Sequence, residues 1–292
     1  MPESMFEKEL ETARRAAVLA GRRIMEFYSM DDEGVRAREK GERPDNPVTE
    51  ADKAANDIII SELKKEFSHP ILTEESEDDR TRLESSTVWI IDPLDGTKEF
   101  IRKLDEFTVN IALVRDNEPV LGVIFVPAKG DLYHAVRGGG AFHCRERCGK
   151  EMKGIEGMSA SESMSVSGRD RLGDMMIVKS RFHVSEKLAD IIKKAGFADS
   201  MTSGSSVKGC LVADGKADVY IRLGNVHEWD ICAMDIIVRE AGGAITDLRG
   251  KPLKYNKPFT LIEGGFVVSN NRAHEELLEA VAGCMNNGGD ER

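Results

Sequence analysis

A chain of 292 residues, 40% hydrophobic and 32% charged, carries enough apolar material for a large buried core, which excludes disorder and a coiled coil. The net charge is -11 and no stretch is dense in Lys and Arg, which excludes a nucleic-acid polymer as partner. No run approaches the roughly 18 apolar residues that a membrane span requires, and the acidic start MPESMFEKEL lacks an apolar signal core.

Five scattered cysteines argue against a disulfide framework, so a reducing cytoplasm is the expected setting. His143, Cys144 and Cys148 lack a second Cys/His pair at metal spacing, which argues against zinc. A protein this acidic repels a phosphorylated small molecule at long range. If the substrate is a phosphate ester, local cations must reverse the field at the site.

In chain order, Phe6, Leu10, Ala13, Ala17, Ala20, Ile24 and Phe27 recur at three- and four-residue steps and predict a long amphipathic helix. Asp31 to Pro47 reads as an irregular or hairpin segment. A second helix is expected from about Thr49, burying Ile58, Ile59, Leu63 and Phe67. Strands are predicted at Pro70 to Leu72, Val88 to Ile91, Phe107 to Val114 and Val120 to Val126, with Asp116-Asn117 as a hairpin turn. Gly138 to Gly140 and the polar stretch Arg145 to Ser167 look like the end of a first unit.

The second unit alternates elements. Strands are expected at Met175 to Lys179, Ala217 to Ile221 and Phe266 to Ser269. Helices are expected at Glu186 to Ala195, Val207 to Ala213, Asp230 to Ala241 and Ala273 to Cys284. The tail from Met285 is expected to fray. The reading is an α/β (α+β) chain in two subdomains, residues 1–155 and 156–292.

The most informative stretch is Trp89-Ile90-Ile91-Asp92-Pro93-Leu94-Asp95-Gly96-Thr97, an apolar strand running into two acids. Functional groups commonly sit where a buried strand emerges into a loop. Two carboxylates a few ångströms apart repel each other, and a divalent cation relieves that cost. Pro93 needs no amide donor, Gly96 permits close approach of a ligand, and Thr97 opens a short helix whose free amides suit an anion. Alone, this motif reads as readily as a capped turn. Leu72-Thr73-Glu74-Glu75 repeats the design of a strand ending in acids. Asp52 in Thr49-Glu50-Ala51-Asp52 and Asp230 after Trp229 each also fit ordinary helix caps.

Taken together, Pro47 to Asp52, Glu74-Glu75, Asp92 to Thr97, Trp229 to Ala233 and Glu240 to Gly243 resemble the inositol monophosphatase superfamily of magnesium-dependent, lithium-sensitive phosphatases. The match in order and spacing runs from about residue 5 to 280. The resemblance implies a layered α-β-α-β-α sugar-phosphatase-type fold and two to three Mg²⁺ ions. Glu74, Asp92 and the Leu94 carbonyl would hold one ion; Asp92, Asp95 and Asp230 would hold another. A third would lean on Glu74. Thr97, hydrogen-bonded to Asp52, would activate water with help from Glu74, and the Gly96 and Thr97 amides would bind phosphate. A homodimer is compatible with the resemblance.

The run Asp92 to Ile101 followed by Glu106 to Leu113 looks like the 3'(2'),5'-bisphosphate nucleotidase branch, where inositol phosphatases usually carry Asn-Phe in place of Glu99-Phe100. Gly204-Ser205-Ser206-Val207-Lys208 places a lysine at a helix start, where the dipole disfavours cations unless an anion sits between. Arg222 ends a strand and could clamp the same anion. The resemblance implies that Ser205, Lys208 and Arg222 hold a 5'-phosphate and that His183 neighbours the nucleotide, with Glu74, Leu94, Asp95, Gly96, Thr97 and Asp230 around the reacting phosphate. The expected reaction is hydrolysis of 3'-phosphoadenosine 5'-phosphate to AMP and phosphate. Inositol-1-monophosphatase or fructose-1,6-bisphosphatase activity on the same scaffold is the alternative.

Overall fold

The computed structural model describes residues 6–29, 38–39, 47–48, 50–145, 158–182 and 185–285. His183, Thr49, Cys148, the tail from 286 and the expected subdomain boundary at 155 lie outside the described residues.

Two helices open the chain, α1 (Glu7–Tyr28) and α2 (Glu50–Glu66), with the short strands β1 (Arg38–Glu39) and β2 (Pro47–Val48) paired antiparallel between them. The helix pair buries small residues in the same core: Ala13, Ala16, Ala17 and Ala20 on α1, Ala51 and Ala55 on α2. Together the two helices cover one face of a seven-stranded sheet in sequential order. Its strands are β3 (Ile71–Thr73), β4 (Thr87–Asp95), β5 (Thr108–Arg115), β6 (Glu118–Val126), β7 (Asp131–Val136), β8 (Gly140–Arg145) and β9 (Glu162–Met164). Only the β3–β4 pair is parallel.

The apolar run of β4 is continuous because both faces of the sheet are covered. Period-two alternation divides it: Trp89 and Ile91 enter the core under α1 and α2, and Val88 and Ile90 enter the core on the opposite face. Asp116 and Asn117, both left-handed at φ 53° and 64°, make the two-residue turn from β5 to β6 that the sequence predicts.

The second half supplies α4 (Glu186–Ala195), α5 (Val207–Ala213), α6 (Glu228–Glu240) and α7 (His274–Met285), after the one-turn α3 (Thr97–Ile101) of the first half. A five-stranded sheet runs in the order β11 (Asp199–Ser203), β10 (Met176–Ser180), β12 (Val219–Leu223), β16 (Gly265–Ser269), β14 (Ala244–Asp247). The pair β13 (Val226–His227) and β15 (Leu261–Ile262) stands apart from it. Helices α5 and α6 lie between the two sheets, and α4 with α7 covers the far face of the smaller one. This is the five-layer α-β-α-β-α order. The middle core joins Leu72 and Ile90 to Val178, Ile231 and Cys232, so the two halves share hydrophobic contacts.

The backbone of α6 approaches the large sheet closely at Gly122. A Cβ there would meet the Ala233 carbonyl oxygen and Ile236 Cγ2 at 2.5 Å. Gly122→Val should therefore lower unfolding free energy by about 1–3 kcal/mol through overpacking, read as a lower urea midpoint at unchanged slope.

His134 is buried between Phe142 and Ser161. Burial first, and then the Arg14 guanidinium, push its imidazole down to about 3, so the fold holds it neutral. In the unfolded chain it titrates near 6.5. Its contribution is therefore complete above about pH 6.5 and lost progressively as pH falls toward 3. His134→Phe should flatten that part of the acid limb in urea midpoints measured at pH 7, 5 and 4; an unchanged slope would contradict the assignment.

Candidate active site

Strand pairing brings the first two acids together. β3 runs parallel to β4 with Thr73 opposite Ile91, so the next residues, Glu74 and Asp92, emerge side by side at the same sheet end. The Glu74 amide still donates to the Ile91 carbonyl at 3.4 Å. Past Ile91, β4 bulges: Asp92 pairs with Asn110 and Asp95 with Thr108, with a register shift between. Pro93 sits inside that bulge, where no ladder amide is required. Asp92 Oδ1 accepts from the Leu94 amide at 3.0 Å, which closes the turn. Gly96 lies at φ +90°, and a Cβ there would fall 3.1 Å from Ser205 Cβ and 3.2 Å from the Glu106 carbonyl. Conformation and space thus both demand glycine at this point.

Asp230 comes from the other half of the chain as the third residue of α6. Its Oδ2 accepts from the His227 amide at 2.7 Å, so the expected capping function is real, and the same carboxylate reaches the acidic turn. Carboxylate oxygens of Glu74, Asp92 and Asp230 all lie within 4.8 Å of one another. Asp95 stands at the edge of this triad, with one oxygen engaged elsewhere. Oδ2 accepts from Ser205 Oγ at 2.5 Å and from the Ser206 amide at 2.7 Å, and Ser206 Oγ lies 2.9 Å away. Those serines are backed by Thr108 and Asn110 of β5, at 2.7 Å and 3.0 Å.

The cluster is electrostatically costly. Burial first, and then the carboxylates of Glu74, Asp95, Asp230 and Asp52, hold Asp92 well above the usual carboxylate range. Burial, Asp95 and Glu74 push Asp230 up to about 8. Such a set is relieved by proton uptake or by a cation. The donors are all hard oxygens converging on one point, which suits Mg²⁺ rather than a soft metal. Glu74, Asp92 and Asp230, with Asp95 alongside, fit a divalent ion.

Beside the triad opens a cleft of about 430 Å³, lined by the expected Glu74, Leu94, Asp95, Gly96, Thr97, Ser205, Lys208, Arg222 and Asp230. Thr97 Oγ1 donates to the Leu94 carbonyl at 3.4 Å, and Asp52 lies buried close enough to raise Asp92. At the start of α5 the Ser206 amide donates to the Asp95 carboxylate. Lys208 is buried in the cleft wall, donating to the Ser205 carbonyl at 2.6 Å with its Nζ 5.1 Å from the Tyr220 ring centre. Burial draws its ammonium down to about 8 against the opposing pull of Asp95 and Glu99. Arg222 lines the same wall, and its buried Nε has no hydrogen-bond partner among the described residues.

Sequence reasoning missed Ser180, Tyr220, His227 and Trp229 as lining groups. His227 and Trp229 stack in parallel at 4.5 Å, and their place directly before Asp230 was the available signal.

The description "Inositol monophosphatase family" matches residues 5–286. The 3'(2'),5'-bisphosphate nucleotidase CysQ of Escherichia coli strain K12 is 34% identical over 268 residues, covering 91% of this chain and 99% of its own. Crystalline CysQ from Bacteroides thetaiotaomicron superposes with a TM-score of 0.75 at 39% identity, over 91% of this chain and 98% of its own. An IMPase from Thermotoga maritima superposes at 0.78 with 26% identity, over 97% and 100%. The chain belongs to the inositol monophosphatase family. Among the described residues, no helix is long and apolar enough to cross a membrane.

Asp92→Asn removes one of the repelling charges. Without divalent cations the variant should melt at or above the wild-type temperature, and the rise that Mg²⁺ produces in wild type should vanish. A variant that still gains stability from Mg²⁺ would contradict the assignment of the triad.

Proposed function

We propose that the chain is a magnesium-dependent 3'(2'),5'-bisphosphate nucleotidase that converts 3'-phosphoadenosine 5'-phosphate to AMP and phosphate in the cytoplasm. The observation that carries this reading is a single cleft with two anion-receptive ends. One is the carboxylate triad, which becomes receptive once loaded with metal; the other is the buried Lys208 with the half-buried Arg222. A substrate with two phosphates fits both ends. The identity with CysQ proteins over nearly the whole chain supports the same choice.

Glu74, Asp92, the Leu94 carbonyl, Asp95 and Asp230 would hold two to three Mg²⁺ ions. When bound, magnesium supplies Lewis acidity and neutralises charge on the phosphoryl group. The Thr97 hydroxyl turns from its long contact with Leu94 to orient a water and relays its proton to the Asp52 carboxylate, with Glu74 assisting. That water attacks phosphorus as the bond to the 3'-oxygen of the sugar breaks. The 3'-oxygen leaves by taking a proton from solvent water, while Asp52 later returns its proton to solvent. The amides of Gly96 and Thr97 hold the phosphoryl oxygens. Lys208 and Arg222 hold the 5'-phosphate through charge-assisted hydrogen bonds, with Ser205 beside them, and His183 neighbours the nucleotide.

Phosphate release from adenosine 3',5'-bisphosphate, inositol 1-phosphate and fructose 1,6-bisphosphate under Mg²⁺ tests the substrate. The bisphosphonucleoside should lead in kcat/KM; preference for either sugar phosphate would overturn the nucleotidase reading. Lys208→Ala should raise KM for the bisphosphate by about tenfold or more while sparing simple monoesters, given about 1.5–3 kcal/mol for a charged hydrogen bond. Asp95→Asn should lower kcat by about a hundredfold or more with the fold intact.

A further inference from the structure

Glu74 and Asp230 lie 156 residues apart and on different layers, yet their carboxylates must meet within a few ångströms. Strand pairing fixes Glu74 against Asp92. The start of α6 is tied only to the small β13–β15 pair, through His227 opposite Leu261 and the Glu228 amide on the Thr260 carbonyl at 2.9 Å, and that pair is not part of the seven-stranded sheet that carries Glu74 and Asp92. A buried arginine outside the cleft lining supplies a connection.

Arg82 is 2% exposed and sits in the one-turn 3₁₀ segment Thr81–Glu84 that follows the Glu74 loop. Its Nε and Nη2 grip Asp78 of that loop at 3.0 and 2.8 Å. The same guanidinium reaches across the molecule, where Nη1 donates to Asn256 Oδ1 at 2.7 Å and Nη2 to the Lys257 carbonyl at 2.9 Å. Asn256 answers with its side-chain amide, donating to the Arg82 carbonyl at 3.3 Å. The backbone amides of Asn256 and Lys257 in turn donate to the two oxygens of Glu228, at 2.6 and 3.1 Å. Glu228 is fully buried and is the first residue of α6, two before Asp230.

The linkage therefore runs from the loop of one metal ligand, through Arg82, Asn256 and Glu228, to the helix turn that carries the other. A guanidinium with four fixed donors sets both distance and angle between the segments it joins, which a lysine with one freely rotating head cannot do. We infer that Arg82 is a positioning residue for the metal site, setting the separation of Glu74 and Asp230 through Asn256 and Glu228. It touches neither substrate nor cation. The inference rests on the reading of the triad as a magnesium site.

Two variants test it. Arg82→Lys keeps the charge and loses the fork. Asn256→Gly removes the side chain Arg82 holds, and glycine accepts the φ of +55° found there without strain. Mg²⁺ binding is measured directly by calorimetry on the full chain, alongside the melting temperature with and without Mg²⁺. Both variants should bind Mg²⁺ about tenfold or more weakly than wild type. At saturating Mg²⁺, KM for the bisphosphate should stay within about twofold of wild type. Variants that melt lower but bind Mg²⁺ as wild type does would reduce Arg82 to a structural clamp and overturn the inference, leaving the metal reading intact. A wild type that takes up no Mg²⁺ would overturn both. If Arg82→Lys fails to fold, Asn256→Gly, which leaves the Arg82–Asp78 pair in place, decides alone.

Discussion

Several carboxylates that repel one another are forced into one largely enclosed corner, and the rest of the molecule is arranged around that repulsion. Asp92 is almost fully buried, and the triad it forms with Glu74 and Asp230 draws on a loop, a sheet end and a helix start. An isolated carboxylate in such a place would simply stay protonated. Holding several together costs folding energy that proton uptake or a bound cation returns, which suits the corner to a divalent ion. The layered fold serves this end. The parallel β3–β4 pair sets two acids side by side, and α6, wedged between the sheets, delivers the third.

The same economy links the two ends of the cleft. Ser205 gives its hydroxyl to Asp95 and its carbonyl to the Lys208 ammonium, so one residue touches both the acidic and the basic wall. Ser205 is also left-handed at φ 50°, an unfavourable conformation for a side chain other than glycine. The strain is tolerated where the hydroxyl is needed. Asp95 is thereby oriented by Ser205 and Ser206, with Thr108 and Asn110 behind them, before any ligand arrives.

Much of this was legible in the sequence where the signal was local. The acidic turn, the hairpin at Asp116-Asn117 and the long amphipathic first helix each write their geometry in neighbouring residues. The layered fold was legible only through the ordered set of motifs. What escaped was non-local or short. β7 received no reading from the sequence, β8 starts at the Gly138 to Gly140 run taken as the end of the first unit, and β9, only three residues long, pairs with β8 from within the polar stretch. The acid that meets the start of α5 is Asp95, 111 residues from Ser206. No spacing rule announces such a pair. Arg82 and Asn256, 174 residues apart, are as invisible in one dimension as they are explicit in three.

The most direct measurement is a crystal structure grown with Mn²⁺ as an anomalous stand-in for Mg²⁺, together with inorganic phosphate. The account requires an anomalous peak within about 2.0–2.3 Å of oxygens of Asp92 and of Glu74 or Asp230, with phosphate beside it toward Gly96 and Thr97. Density showing the acids closed on one another with no ion between them, or manganese bound only elsewhere, would contradict it.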